Sequence, residues 1–409
     1  LKLNRLAKGL IGLAVVLTVA AAIIGPRVRK GIDAYVYGYP LVIFDVTRER
    51  YEQASGPANT WQHMRAFPDA SNREVVRLNV DTLYSMLFLD MRQGPWVFEL
   101  PADSPRYQVF PLLDAWTNVF ASVGTRTQGT KGGRFLLVGP QWQGTPPPGM
   151  EVLRSPTNLV WTVGRTQTNG AQDYAVARSL QDGLHIRTLA DWQAGKDTAA
   201  PPWQRSTVED IPPVVRMQKM GTEDFFKRLA QLMQDNSPAS ADAAMVESLR
   251  SLGVVAGQPV HWGALDRFSI DLGRKIADFL VARAMENRPH LPSGWVRLPA
   301  DIGNYGSNYG LRAGVAMLGL GANIPADSIY PSTEADSEGR PLNGTNRYVL
   351  HFDKDKLPPV NAFWSLTAYD ADSFFIGNPI NRYALGDRDK LRFNADGSLD
   401  LYLQADSPG

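Results

Sequence analysis

The sequence predicts a mainly β chain with a helical insert and an N-terminal apolar helix, and three observations carry that prediction. Short β-branched and aromatic runs punctuated by Gly and Pro fill 75–189 and return after 291. Between them, apolar residues recur at spacings of three and four. An apolar run flanked by Lys and Arg opens the chain. With 409 residues the chain exceeds one ordinary domain and can bury two or three cores. The predicted division is an N-terminal segment 1–30, a helix and first β-sandwich 31–200, a connector and helical domain 201–290, and a second β-sandwich 291–409.

In the first segment, Lys2, Arg5 and Lys8 precede the run 10–24, which ends at Gly25-Pro26 and is followed by Arg27, Arg29 and Lys30. Its length falls between a signal-peptide core and a full span. Ala20 and Ala22 form a small-x-small pattern inside the apolar stretch, and cleavage there would leave Ile23-Ile24 at the new terminus, so an uncleaved single-span helix is favoured over a signal peptide. Three basic residues on each side leave orientation open. The expectation is a membrane-anchored chain with its body exported to the periplasm or cell envelope, or a secreted one after cleavage. The chain starts at Leu1 and stops at Gly409 soon after a strand-like stretch, which predicts truncation at both ends and an exposed sheet edge suited to homo-oligomer formation.

Residues 32–51 predict a helix with an aromatic face, Tyr35, Tyr37, Tyr39 and Phe44, interrupted at Pro40. The first β region follows in runs such as Trp96-Val97-Phe98-Glu99-Leu100 and Phe135-Leu136-Leu137-Val138, with turns at Gly94-Pro95, Gly132-Gly133 and Gly139-Pro140. Helical crossovers do not fit between these runs, so an antiparallel sandwich is expected. Pro201-Pro202 and Pro212-Pro213 bracket the connector. Helices follow at about 222–233, 241–252 and 265–286, the first with Glu223 and Asp224 at its positive end. In the last region 348–352 and 362–369 predict strands. Asn394-Ala395-Asp396-Gly397-Ser398 predicts a hairpin turn between 391–393 and 399–404.

Composition removes several function classes. The 42 basic and 41 acidic residues leave a net charge of +1, which gives no field to attract nucleic acid. The absence of Cys removes disulfides, thiolate nucleophiles and zinc-thiolate sites. Five scattered His residues show no ligand spacing, so neither a metal nor a cofactor is expected. His351 is expected at a strand surface or edge.

Asn79-Val80-Asp81-Thr82-Leu83-Tyr84-Ser85, Asp114-Ala115-Trp116-Thr117-Asn118 and Gly139-Pro140, followed by Leu357-Pro358-Pro359-Val360, Ala362-Phe363-Trp364-Ser365-Leu366-Thr367-Ala368-Tyr369, Asn378-Pro379 and Asn381-Arg382-Tyr383, are together distinctive. In this order they resemble a bacterial two-domain family, the domains of unknown function 1254 and 1214. The resemblance covers 32–409 and implies an immunoglobulin-like sandwich, a small helical domain and a jelly-roll-like sandwich, with no agreed activity. The family's usual continuation past the last strand is missing here, and the N-terminal run is not one of its defining features.

Two readings of the polar residues stand. In one, the chain is a binding or structural module for a small molecule or glycan. Trp364, Ser365, Thr367 and Tyr369 supply an aromatic and hydroxyl platform, and Arg382, in the run Asn381-Arg382-Tyr383, Arg126 and Arg165 are each able to clamp an anion, Arg382 or Arg126 doing so in the enzyme reading. In the other it is a metal-independent enzyme, hydrolase- or lyase-like, on a small polar or carbohydrate-like substrate. Asp81 is then the base, Tyr84 the acid and Asn79 an orienting amide. Strand alternation would set Asn79 and Asp81 on one face and Tyr84 on the other. Each residue also has a plain structural role open to it: a turn cap for Asn79 and Asp81, sandwich core for Trp364, a loop pin for the arginines. Convergence of Asp81, Tyr84 and an Arg within one deep pocket would favour the enzyme, and their dispersal into separate turns would leave the binding module.

Overall fold

The computed structural model describes residues 5–73, 77–207, 211–286, 290–291 and 293–407, and within these the side chains of all but 5–21 and 285–286. Helix α1 (Arg5–Ala54) leads to β1 (Gln62–His63), β2 (Thr82–Asp90), β3 (Trp96–Leu100), β4 (Gln108–Asp114) and β5 (Val119–Gly124). After the short α2 (Thr125–Gln128) come β6 (Gly133–Val138), β7 (Glu151–Arg154), β8 (Leu159–Gln167), α3 (Tyr174–Asp182), β9 (His185–Thr188) and α4 (Leu189–Gln193). The helical region holds α5 (Pro213–Lys219), α6 (Thr222–Asp235), α7 (Ala243–Ser251), α8 (Ala264–Glu286) and α9 (Tyr309–Leu318). The chain closes with β10 (Tyr348–Phe352), β11 (Ser365–Thr367), β12 (Ala384–Gly386) and β13 (Leu399–Leu403).

The first β region forms two sheets, ordered β1-β2-β8-β4-β5 and β7-β6-β3-β9. They share an apolar layer that includes Leu87, Leu89, Phe98, Phe110, Phe135 and Val160. Alternation along β2 turns Leu87 and Leu89 into that layer and Phe88 to the opposite face, where its ring meets Phe44 of α1 at 5.6 Å and stacks on Trp161 at 5.1 Å. One pairing departs from the antiparallel expectation, since β7 runs parallel to β6. The Pro-rich stretch 146–148 between them lengthens the return enough for a parallel crossover. The sheets are mixed in this sense, and among the described residues none closes into a barrel.

Helix α1 runs through Pro40 without interruption, contrary to the sequence expectation. A proline inside a helix costs about 3 kcal/mol. Leu41, Val42, Ile43 and Phe44 are each at most 1% exposed, and burying four such side chains outweighs that cost at about 1.5–3 kcal/mol each. The aromatic face faces inward: Tyr35 lies against Phe225 of α6 at 4.6 Å, and Tyr37 against Trp116 at 4.8 Å. The helical region is therefore a layer built around α1 against the first sheet.

Residues 291–407 carry α9 and two separate two-stranded ribbons, β10-β13 and β11-β12, where a jelly-roll-like sandwich was expected. The expected strand 391–393 is reduced to a single bridge from Phe393 to Leu399. Its turn is as predicted, with Gly397 at φ +88° and the Gly397 N–H donating to the Asn394 carbonyl. Dense Asp, Asn, Gly and Pro along this region hold the chain in side-chain-capped turns that compete with long ladders. Among the described residues no helix is long and apolar enough to cross a membrane. The run 10–24, and with it the expected single-span helix or signal peptide, lies largely outside the described side chains.

Candidate functional site

The residues singled out in the sequence meet where the start of β2 and the end of β8 adjoin the C-terminal segment. Asn79 caps the entry to β2. Its Oδ1 accepts from the Asp81 and Thr82 backbone N–H groups, each at 2.9 Å, and its Nδ2 donates to the Tyr84 hydroxyl. Asn79 and Tyr84 therefore meet, against the expectation from strand alternation, because residues 79–81 form a turn and β2 begins only at Thr82.

Asp81, 6% exposed, has both carboxylate oxygens engaged. Oδ2 accepts from the Ser365 hydroxyl at 2.7 Å, and Oδ1 accepts from Arg388 Nη2. Arg388 also donates to the Thr168 carbonyl at 3.2 Å and covers the Phe363 ring at 4.4 Å. Tyr369 donates its hydroxyl to the Leu78 carbonyl at 2.7 Å, which ties the same segment to the turn before β2. Burial pushes the Tyr369 phenol up to about 12.

Beside this clamp, Tyr84 and Arg165 are cross-strand partners on β2 and β8, so their side chains share a face. The Arg165 guanidinium lies 5.5 Å from the Tyr84 ring and 6.0 Å from the Tyr330 ring, and its Nη1 donates to the Tyr330 hydroxyl at 2.7 Å. Asn323 Nδ2 donates to the same hydroxyl at 3.1 Å. Two buried atoms of this group, Arg165 Nε and Asn323 Oδ1, have no hydrogen-bond partner among the described residues. Electrostatics separate the two phenols. Burial raises Tyr84 above its ordinary pKa despite the opposing Arg165 charge. Burial acts the same way on Tyr330, but the Arg165 charge and the hydrogen bonds from Ser328, Arg165 and Asn323 outweigh it and hold the phenol low.

The other residues singled out are dispersed. Arg126 pairs with Asp327 at 2.6 Å, and Arg382 with Asp389 at 3.0 Å while its N–H is capped by Asn378. Trp364 is half-buried against Phe352 at 5.7 Å. Thr367 hydrogen-bonds Tyr369. Tyr383 stacks on Phe375 at 4.7 Å, with its hydroxyl 3.4 Å from Asn381 Oδ1. His351 is exposed on β10, hydrogen-bonded to Asp400 at 2.6 Å. Among the described residues no three His, Asp or Glu side chains gather as a metal site. Sequence reasoning missed Arg388, Tyr330 and Asn323. Arg388 sits in the run Asp387-Arg388-Asp389-Lys390, which looks like a solvated turn, and no local pattern marks the other two.

Two stacked sheets backed by a helical layer, with a ribbon-bearing C-terminal segment clamped to them through Asp81, define a two-part class of protein. Family models match the two parts separately. The family described as "Protein of unknown function (DUF1254)" matches 58–188, and "Protein of unknown function (DUF1214)" matches 327–409. The chain belongs to the family that joins these two domains. The VPA0106 protein from Vibrio parahaemolyticus, known from a crystal structure, is 27% identical, with 94% of this chain and 89% of that one covered and a TM-score of 0.70. An uncharacterized protein from Burkholderia cenocepacia is 12% identical over 96% of this chain and 88% of its own, with a TM-score of 0.44. No curated protein matches the chain.

Proposed function

We propose that the protein is an exported, membrane-associated binding module for a small organic anion, such as a carboxylate or an acidic sugar, held by Arg165. The observation that carries this reading is the state of that guanidinium. Arg126, Arg382 and Arg388 each have a carboxylate partner, whereas no carboxylate among the described residues pairs with Arg165. A half-buried guanidinium without a carboxylate counter-charge is suited to an oxyanion. Tyr84 and Tyr330 offer ring faces on either side for the apolar part of a ligand. Arg312 also lacks an ion-pair partner among the described residues, but it is 2% exposed and enclosed by Tyr37, Trp116 and Tyr309 at 5.2–5.4 Å, out of a ligand's reach. Export and membrane association are supported by the basic-flanked apolar run 10–24.

The enzyme reading has one observation in its favour, the Tyr330 phenol held low beside a cation, as a proton-transfer group needs. Asp81 contributes less to it, since Arg388 and Ser365 occupy both oxygens. The deciding experiment is calorimetric titration of the full chain with malonate, succinate and glucuronate. Saturable binding to the wild type, weakened at least about tenfold in Arg165→Met, is the expected result, a loss of about 1.4 kcal/mol or more. Equal affinity in both proteins, or no binding to either, removes Arg165 as the anchor.

A further inference from the structure

We propose that the outer face of α8 is the contact between two copies of this chain, which meet antiparallel about a two-fold axis passing near Gly273. This inference is independent of the anion reading. It begins with a helix that is apolar on two opposite sides. The inner side belongs to α1: a Cβ on Gly31 would lie 3.1 Å from the Ile270 Cα, and the Arg274 guanidinium lies 5.2 Å from the Tyr35 ring. On the other side Leu265, Phe268, Leu272 and Phe279 are between 38% and 63% exposed. At about 100° per residue these four fall within an arc of about 60°, opposite Ile270 and Ala277. A contiguous exposed stripe of large apolar side chains marks a contact surface.

The two flanks of the stripe differ, and the difference indicates what it meets. Asp271 and Lys275 lie along one flank, paired at 2.9 Å, with side chains 43% and 72% exposed. The exposed Ala264 and Ala282 share that flank. The half-buried Ile276 and the exposed Leu280 lie along the other. A second copy set parallel would place the charged flank of each helix against the apolar flank of its neighbour, so that both charges lose water against Ile276 and Leu280. A copy turned end for end keeps like flanks together, and charge then faces charge.

One axis position satisfies the whole face. With the two-fold near Gly273, Asp271 of each copy comes level with Lys275 of the other. Leu265 then comes level with Leu280, Phe268 with Phe279, and Leu272 lies beside its own copy. Ala264 comes level with Ala282, where small side chains let the helices close. An isologous contact requires this self-complementarity, whereas a lipid surface or an unrelated protein does not. Anionic headgroups would also be set against Asp271. Stripe and flanks together offer on the order of 500 Å² per copy, the scale of a reversible contact and not an obligate one.

Sedimentation equilibrium of the full chain in a density-matched detergent tests the contact through its charges. The wild type should dimerise reversibly. Lys275→Glu makes the flank wholly acidic and Asp271→Lys makes it wholly basic, so each variant alone should associate at least about tenfold more weakly. Mixed one to one, the two should pair about as tightly as the wild type, because each copy then faces the opposite charge. Asp271 also accepts from the Thr222 hydroxyl at 2.6 Å, so thermal unfolding of Asp271→Lys accompanies the measurement. Lys275→Glu, at the more exposed position, decides by itself should Asp271→Lys fail to fold. A wild type monomeric at about 100 μM overturns the proposal. So does association unchanged in Lys275→Glu, or a mixture of two folded variants that does not pair. A monomeric wild type whose binding to phosphatidylethanolamine–phosphatidylglycerol vesicles is lost in the double variant Phe268→Ser, Phe279→Ser would give the stripe to lipid and overturn it equally.

Discussion

Burial decides how Asp114 titrates. The carboxylate, 5% exposed, accepts from the Asn118 backbone N–H at 2.9 Å, and burial pushes it up to about 6 in spite of that bond. The folded state therefore holds a proton more tightly than the unfolded chain, and stability rises as pH falls from about 6 towards the ordinary carboxylate value near 3.8. Above pH 6 the penalty for the ionised form is fully present. Replacing Asp114 by Asn removes this dependence. The wild type, measured against Asp114→Asn by denaturant unfolding, should gain on the order of 2 kcal/mol between pH 7 and pH 4. A constant difference across that range would show that Asp114 titrates normally. At this scale the sequence marked residues by type better than by partner. Asn79, Asp81, Tyr84 and Arg165 do meet at one seam, because adjacent strands bring together short segments rich in polar and aromatic side chains. Their neighbours Arg388, Tyr330 and Asn323 lie more than 150 positions away in turns, and a local pattern carries no information about contacts at such separations.

Close helix packing governs the α1–α8 pair. A Cβ on Gly273 would lie 2.6 Å from the Val28 carbonyl oxygen and 3.0 Å from the Ile32 nitrogen, both backbone atoms that cannot swing away. Helix propensity favours Ala over Gly by about 1 kcal/mol, but separating two packed helices costs more, about 1–3 kcal/mol for overpacking alone. Gly273→Ala should therefore lower stability by about 1–2 kcal/mol, while Gly310→Ala in α9, where nothing lies within 4 Å of the added carbon, should be neutral or gain up to about 1 kcal/mol. Thermal unfolding of both variants checks the pair, and a stabilised Gly273→Ala would mean the helices are free to separate. Elements were legible in the sequence where period and burial agree. Strands β3 and β6 and helices α6 to α8 fall where β-rich runs and three-four spacing put them. Helix α1 was not fully legible, since the proline rule is local and the burial that overrides it comes from helices more than 150 positions away. In the C-terminal region the strands at 348–352 and 399–403 are as expected, 362–369 shortens to 365–367 and 391–393 to a bridge, because apolar alternation over three to five residues does not show whether a second sheet exists to cover it.

At the scale of the molecule, ion pairs such as Arg73–Asp370, Arg126–Asp327 and Arg388–Asp81 cross the join between the two family-matched parts, and in Arg388–Asp81 both side chains are largely enclosed. Its side chains are 21% and 8% exposed, and Arg388 also holds the Thr168 carbonyl, so one guanidinium ties the C-terminal segment to the ends of β2 and β8. Losing one partner of such a pair strands the other charge, at about 3–5 kcal/mol. The two truncations should differ. Arg388→Met leaves the nearly buried Asp81 carboxylate with only the Ser365 hydroxyl, whereas Asp81→Asn leaves a guanidinium that can turn to solvent. Arg388→Met should therefore be the more damaging, and the damage should be local, because the apolar layer between the two sheets does not involve this seam. Limited proteolysis followed by mass spectrometry tests the point. Cleavage within 353–400 should accelerate strongly in Arg388→Met and weakly in Asp81→Asn, while 82–167 stays protected in both. Equal acceleration in the two regions would instead make the seam part of a single cooperative unit, with the C-terminal ribbons folding only together with the sheets.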